Sequence, residues 1–344
     1  MCIKDVTDLL KKSKMNTDSN CTNMGDEEVK VHKIEIPTPY KVGDVNAFLV
    51  KGEALTIFDV GPKTQEAYGA IEQGLKTAGY TWQDVEQVVL THHHPDHAGW
   101  TDAFPHAEIM GHEYNDLWLK HDEDFLTYHE DFYRQNLFES GLPGGIIEKS
   151  IQVRREMAWV GSQPLTKIIN DGDEIPGHPG LKAIETLGHA RSHFIFYDEA
   201  SHEVIGGDLL LEKITPNPLI EPPLKQGEPR AKSQLEYNAS LEILRALPVS
   251  MMYTGHGADL TNIIPLIDAR KVRLHDQALA LYEMITKTEE ITPLEATKRM
   301  YPRVYEHQFG LTLSKTVGLL DYLESLHKVT TFKRGGIIHY IRTT

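Results

Sequence analysis

One stretch limits what this chain can become: Val88-Val89-Leu90-Thr91-His92-His93-His94-Pro95-Asp96-His97-Ala98-Gly99, an apolar run that ends in imidazoles and a carboxylate. Four histidines and one aspartate in six positions are hard to justify as packing, because buried polar groups need partners. Imidazole and carboxylate ligands suit Zn²⁺ and related divalent ions, and a loop leaving a strand end can hold closely spaced ligands around one point. Alternate positions of an extended segment share a side, so His92-x-His94-x-Asp96-His97 can divide between two metals.

The motif resembles that of the metallo-β-lactamase-fold hydrolase superfamily, His-x-His-x-Asp-His after a buried strand. The family's other marks follow in order: Asp59 in Thr56-Ile57-Phe58-Asp59-Val60-Gly61, His189 after Gly188, Asp208 after Gly206-Gly207, and His256 between Gly255 and Gly257. The resemblance implies an α+β chain whose catalytic part is an αββα sandwich. It also implies a ligand set: His92, His94 and His189 on one metal, Asp96, His97 and His256 on the other, and Asp208 bridging. Two Zn²⁺ per chain are expected, with Fe or Mn as alternatives, and Asp96 is expected to handle a proton as well as to bind metal. Asp59 should orient a ligand imidazole from behind. His93 and His193 are expected to be hydrogen-bonded neighbours of ligands. Two departures stand out. Gly188-His189-Ala190-Arg191-Ser192-His193 differs from the Gly-His-Thr-Pro-Gly-His that relatives often carry, and Leu209 follows Asp208 where relatives frequently have His. Arg191 either faces an anionic substrate or is solvated, and the solvated reading is preferred.

The chain has 344 residues, 40% hydrophobic and 25% charged, ordinary values for a globular protein. No apolar run approaches the roughly 20 residues that cross a bilayer, and no secretory h-region is visible. Cys2 and Cys21 lie in a polar leader and imply no disulfide framework, so a reducing cytoplasm is the expected compartment. The formal charge of −15 argues against wrapping a polyanion.

Along the chain, residues 1–28 read as a mobile arm, residues 29–258 as the catalytic domain, and residues 259–344 as a helical module ending in a hairpin around Gly335-Gly336. This last part resembles the small winged-helix module of some superfamily members. Val31 to Ile36, Asn46 to Val50 and Leu55 to Asp59 read as strands. Ala67, Ile71, Leu75 and Ala78 mark a helix with Thr64 as N-cap and Gly79 as its stop. Residues 113–165 form an aromatic-rich helical insertion with a glycine-rich break at Gly141 to Gly145. It is expected to act as a lid, with Trp118 and Tyr133 as its substrate-facing residues, although packing accounts for most of its aromatics.

The expected function is that of a dinuclear-zinc hydrolase using a metal-bridging hydroxide on a small ester, thioester or lactone. A metal-dependent ribonuclease and a mononuclear iron dioxygenase are the alternatives. Di-iron relatives typically have Glu at the position of His94, which speaks against that form of redox chemistry. The partner is expected to be a small molecule, with no membrane, no tight nucleic-acid binding, and a homodimer as an option for the C-terminal module. Residues 259–344 carry 12 Lys+Arg against 10 Asp+Glu, a thin balance for a phosphate-reading surface.

Overall fold

A computed structural model describes residues 31–343; the expected arm over residues 1–28 lies outside them. The alternating stretch at the start becomes strand β1 (Val31–Ile36), which pairs antiparallel with β2 (Val45–Lys51), itself paired antiparallel with β3 (Leu55–Phe58). Beyond β3 the sheet turns parallel, through β4 (Gln87–Val89), β5 (Glu108–Gly111) and β6 (Lys167–Ile168). A second sheet holds β7 (Leu181–Glu185), β8 (Phe194–Asp198), β9 (Glu203–Ile205) and β10 (Met251–Tyr253) in the order β10-β9-β8-β7.

The sheets face one another across an inner core. Phe48, Phe58, Val89 and Met110 from the first meet Ala183, Phe194, Phe196 and Ile205 from the second. Helix α1 (Gln65–Thr77) lays Ala67, Ile71 and Leu75 on the outer face of the first sheet. Its start is fixed by Thr64, whose hydroxyl accepts from the Ala67 amide, and Gly79 takes a φ of 88° just past its end. Outside the second sheet lies a helix over Ser233–Ala246, contributing Tyr237, Leu241 and Leu244. The layers run helix, sheet, sheet, helix, the αββα arrangement expected. Strand β6 carries no sequence signal, since only two exposed residues pair.

The insertion is helical: α2 (Glu113–Leu119), α3 (Glu123–Glu139), α4 (Gly144–Ser150) and α5 (Val153–Glu156). The helix over Ser233–Ala246 is α6. The C-terminal part comprises α7 (Ile263–Thr288), β11 (Glu290–Ile291), α8 (Pro293–Met300), α9 (Phe309–Ser325) and the hairpin β12 (Val329–Arg334) and β13 (Ile337–Arg342). It builds its own core from Leu281, Ile285, Leu319, Leu320 and Leu323, and β11 joins the hairpin as a third strand that sequence reasoning did not foresee. Helix α8 starts with a capping box: the Thr292 hydroxyl accepts from the Glu295 amide and the Glu295 carboxylate from the Thr292 amide.

The break at Gly141 to Gly145 is tied down, contrary to its flexible look in sequence. Leu142 is buried with Leu137 and Ile147 against Ile220, Leu313 and Val317, and the Leu294 amide donates to the Ser140 carbonyl. The lower half of the insertion is thereby clamped to α9.

The Phe58 and Phe196 rings meet between the sheets with centroids 5.1 Å apart at 57°. Phe196→Ala is expected to lower unfolding free energy by about 3–5 kcal/mol, the range for truncating a buried Phe; urea denaturation followed by circular dichroism checks it.

Candidate metal centre

Strand direction puts the chemistry at one edge. β3 and β4 are parallel, so Asp59 and the His92 to His97 loop leave from the same end of the first sheet. In the second sheet β7 and β9 both run antiparallel to β8, and β10 runs parallel to β9. His189, Asp208 and His256 each follow one of these three strands, and the loop after β10 joins the first sheet where the Asn46 amide donates to the Gly255 carbonyl at 2.7 Å. Two glycines permit the convergence. A Cβ on Gly188, whose φ is 121°, would lie 2.2 Å from the Tyr237 nitrogen, and one on Gly255 would lie 2.2 Å from the Asp208 carboxylate.

At this edge the donor atoms form overlapping sets, each within 4.8 Å: His92, His94 and His189; His92, His97 and Asp208; and Asp96, His97 and His256. His94 Nδ1 lies 2.9 Å from His92 Nε2 and 3.1 Å from His189 Nε2. Asp208 spans the sets, with Oδ1 3.6 Å from His97 Nε2 and Oδ2 3.6 Å from both His189 Nε2 and His256 Nε2. Asp96 Oδ2 lies 3.4 Å from His256 Nε2.

Hydrogen bonds behind the rings determine which nitrogen faces inward. Thr91 donates its hydroxyl to Asp59 Oδ2 at 2.7 Å, so at 2.9 Å it accepts from His92 Nδ1–H. His97 donates Nδ1–H to Asp59 at 2.8 Å, His256 to the Asp44 carbonyl at 2.7 Å, and His189 to the Asn217 carbonyl at 3.2 Å. All four therefore turn Nε2 into the centre, which is the arrangement of a metal-binding imidazole. His97 Nε2, His256 Nε2 and Asp208 Oδ1 are buried with no hydrogen-bond partner, as befits atoms made to bind a cation. Burial pushes His92 and His94 well below the ordinary imidazole range and the neighbouring rings push them further, so both keep lone pairs available. Burial also acts against the Asp208 carboxylate, but the surrounding imidazoles outweigh it and hold the group well below the usual carboxylate range.

Asp59 has a φ of 60° and holds three donors: the Thr91 amide, the Thr91 hydroxyl and His97. His193 lies outside the donor sets. Its Nε2 accepts from the Asp208 amide at 3.1 Å while Nδ1 meets the Thr186 hydroxyl at 2.8 Å, so it braces the Asp208 backbone.

His93 is also held from behind. Its Nε2 meets Glu221 at 2.8 Å, its Nδ1 meets the Ser192 hydroxyl at 2.8 Å, and its ring stacks on Trp118 with centroids 5.1 Å apart at 9°. Glu221 also accepts from the Arg191 amide at 2.7 Å. Burial works against this carboxylate, yet the attraction of His93 and its neighbours brings it down to about 2. His93, His94 and Glu221 also form a possible donor set, but His93 and Glu221 already satisfy one another. Sequence reasoning missed Glu221 and Ser192; the available signal was one acid inside the apolar stretch Leu219 to Leu224.

Arg191 requires a correction. It is neither solvated nor aimed at a substrate: its half-buried guanidinium holds Glu236 through two bonds of 2.9 and 2.8 Å. Both bonds run from the one nitrogen Nη1 to the two carboxylate oxygens of Glu236 on the adjacent α6, a charge-assisted pairing that holds the side chain in place. Trp118 lies on the metal loop through His93, whereas Tyr133 packs one layer out against His129, 5.1 Å between centroids. Leu209 is fully buried and offers the centre no polar group.

Among known proteins, the family model described as the metallo-beta-lactamase superfamily matches residues 40–256. A Bacillus subtilis (strain 168) relative, "Probable metallo-hydrolase YqjP", is 36% identical over 308 residues, covering 89% of this chain and 96% of the relative. The crystal structure of a metallo-beta-lactamase family protein from Thermus thermophilus superposes with a TM-score of 0.75 at 25% identity, over 91% of this chain and 98% of that one. A beta-lactamase domain protein from Burkholderia ambifaria shares the fold at a TM-score of 0.71 and 19% identity, over 91% and 92% of the two chains.

Removing the charge on Glu221 while keeping its shape should loosen the loop that carries His92 and His94. Glu221→Gln is expected to weaken metal affinity by about 10–100-fold without changing the circular dichroism spectrum; competition with a chromogenic chelator measures it. The same group gives a pH signature. Its folded pKa of about 2 lies below the unfolded 4.5, so its stabilisation is present above pH 4.5 and fades as pH falls toward 2. Denaturation midpoints of metal-free protein should fall through that window in the parent and fall less in Glu221→Gln.

Proposed function

This chain belongs to the metallo-beta-lactamase superfamily and is a metal-dependent hydrolase, and from that premise we propose that it binds two divalent ions, zinc by preference, and hydrolyses a small ester, thioester or lactone. The observation that carries the two-ion reading is the position of Asp208, whose carboxylate lies 3.6 Å from His189 of one donor set and 3.6 Å from both His97 and His256 of the other. His92, His94 and His189 would hold one ion, Asp96, His97 and His256 the other, and Asp208 both. Nitrogen and carboxylate donors in this ratio suit Zn²⁺.

A bound pair of such ions supplies an activated water and a Lewis acid for a carbonyl oxygen. The protein's own groups do the rest. Asp208 and the imidazoles bring their lone pairs to one point, and the buried surroundings limit bulk water. Burial works against ionisation of Asp96, but the His256 imidazole 3.4 Å away and the charge of His97 overcome that effect and keep it below the usual carboxylate range. Asp96 is thus ionised at neutral pH and can take up a proton at its free oxygen during attack and return it to the leaving group.

A small substrate is favoured by the surroundings of the centre. Trp118 covers the metal loop from the insertion, and Tyr133 stands behind it as part of the same aromatic wall. The hairpin cations that would suit a nucleic acid are largely taken: Lys333 pairs with Glu139 at 2.6 Å, and Arg334 holds Glu290 at 2.8 and 3.0 Å. No helix of the described residues is long and apolar enough to cross a membrane.

Elemental analysis of protein purified without added metal is expected to give about two ions per chain, and His256→Ala about one. At most one ion in the parent under replete conditions would contradict the dinuclear reading. On a panel of esters, thioesters and lactones, Asp96→Asn should lower kcat by about 100-fold or more while leaving the denaturation midpoint close to the parent's. A Trp118→Ala enzyme should shift KM or substrate preference with metal content unchanged.

A further inference from the structure

A second cluster of functional groups lies away from the metal edge, in a cleft between α6, α7 and α9 that is closed on one side by the loop Thr215 to Pro218. Four cations line it, Arg270, Lys271, Arg273 and Lys315, and no carboxylate does. Such a concentration is unusual in a chain whose formal charge is −15. Lys271 is answered from outside by Glu242. Arg270 is anchored, its two terminal nitrogens donating to the Thr215 hydroxyl and the carbonyls of Leu211, Glu212 and Ile214, but its Nε is buried without a partner. Among the described residues neither Arg273 nor Lys315 has an acidic partner. Lys315 is half-buried, and burial together with the two arginines lowers its pKa, so the cluster repels itself as it stands. The amides of Asn238 and Gln277 line the same cleft.

We infer that this cleft is a binding site for a phosphate group, either free or at the end of a small molecule. Three convergent cations and neutral amide donors match a group with about two charges and several acceptor oxygens better than they match a carboxylate. A phosphate polymer is disfavoured because the surface around the cleft belongs to a strongly acidic chain. The site is wired to the metal edge: Asn217, in the loop that walls the cleft, accepts from His189 Nδ1–H through its carbonyl. Two sources of the phosphate share this chemistry, the tail of a phosphorylated thioester substrate and a free phosphate that steadies the loop behind His189.

The test is calorimetric titration of the full-length protein with inorganic phosphate, in chloride buffer of matched ionic strength. Saturable binding is expected, weakened at least about tenfold in Lys315→Gln and in Arg273→Gln. Arg273 is exposed, so its variant should fold even if that of Lys315 does not. Binding that is undetectable overturns the inference, and so does binding that is unchanged in both variants, which belongs to the metal centre if it is also lost on metal removal and to another surface if it is not. Phosphopantetheine and pantetheine, which differ by one phosphate, separate the two sources. Binding of the phosphorylated thiol that exceeds both pantetheine and inorganic phosphate identifies a substrate tail, and binding no tighter than inorganic phosphate identifies free phosphate. Neither arm requires turnover, so a failure of the hydrolase reading would be told apart from a failure here.

Discussion

The grip of Asp59 on Thr91 and His97 is the constraint on which the metal edge depends. One carboxylate at the end of β3 takes the amide and hydroxyl of Thr91 at the end of β4 and, on the same oxygen as that hydroxyl, the imidazole of His97 six residues further on. The ligand loop is thereby pinned at both ends by a group that need not touch a metal. The backbone of Asp59 is left-handed, a conformation costing a non-glycine residue of order 1 kcal/mol or more. That cost persists because three buried hydrogen bonds to a charged group outweigh it. Thr91 then passes the orientation on to His92, so one acid sets the tautomers of two rings.

Much of this was legible in the sequence because the relevant signals are local. The strand run into His92, the cap at Thr64 and the stop at Gly79 are each decided within a few residues, and the structure follows them. The donor residues named from sequence do converge, since parallel strand direction brings separate loops to one edge. What was not legible depends on distant partners. Glu221 is an ordinary acid in a stretch with no periodicity, and only the fold sets it against His93. Arg191 looked free because nothing near it in the chain is acidic; Glu236, 45 residues on, takes it up. Strands β6 and β11 pair only two residues each, too short for any pattern to register.

The insertion illustrates how composition can mislead about motion. Glycines at 141, 144 and 145 suggest a hinge, but Leu142 between them is buried against α9 and the neighbouring Ser140 carbonyl is bonded to the start of α8. Local backbone freedom is removed by packing that the sequence does not advertise.

The connection from Asn217 to Glu221 has a consequence of its own. On one side it holds His189 by a carbonyl and His93 by a carboxylate; on the other, the Asn217 amide donates to the Leu311 carbonyl and the Ile220 amide donates to the Ser314 hydroxyl, both on α9. Five residues thus serve as a strap whose outer fastening is the C-terminal module. The module is therefore part of the chassis of the metal centre, and exchanging it for another domain would retune metal binding even though it supplies no residue to the donor sets.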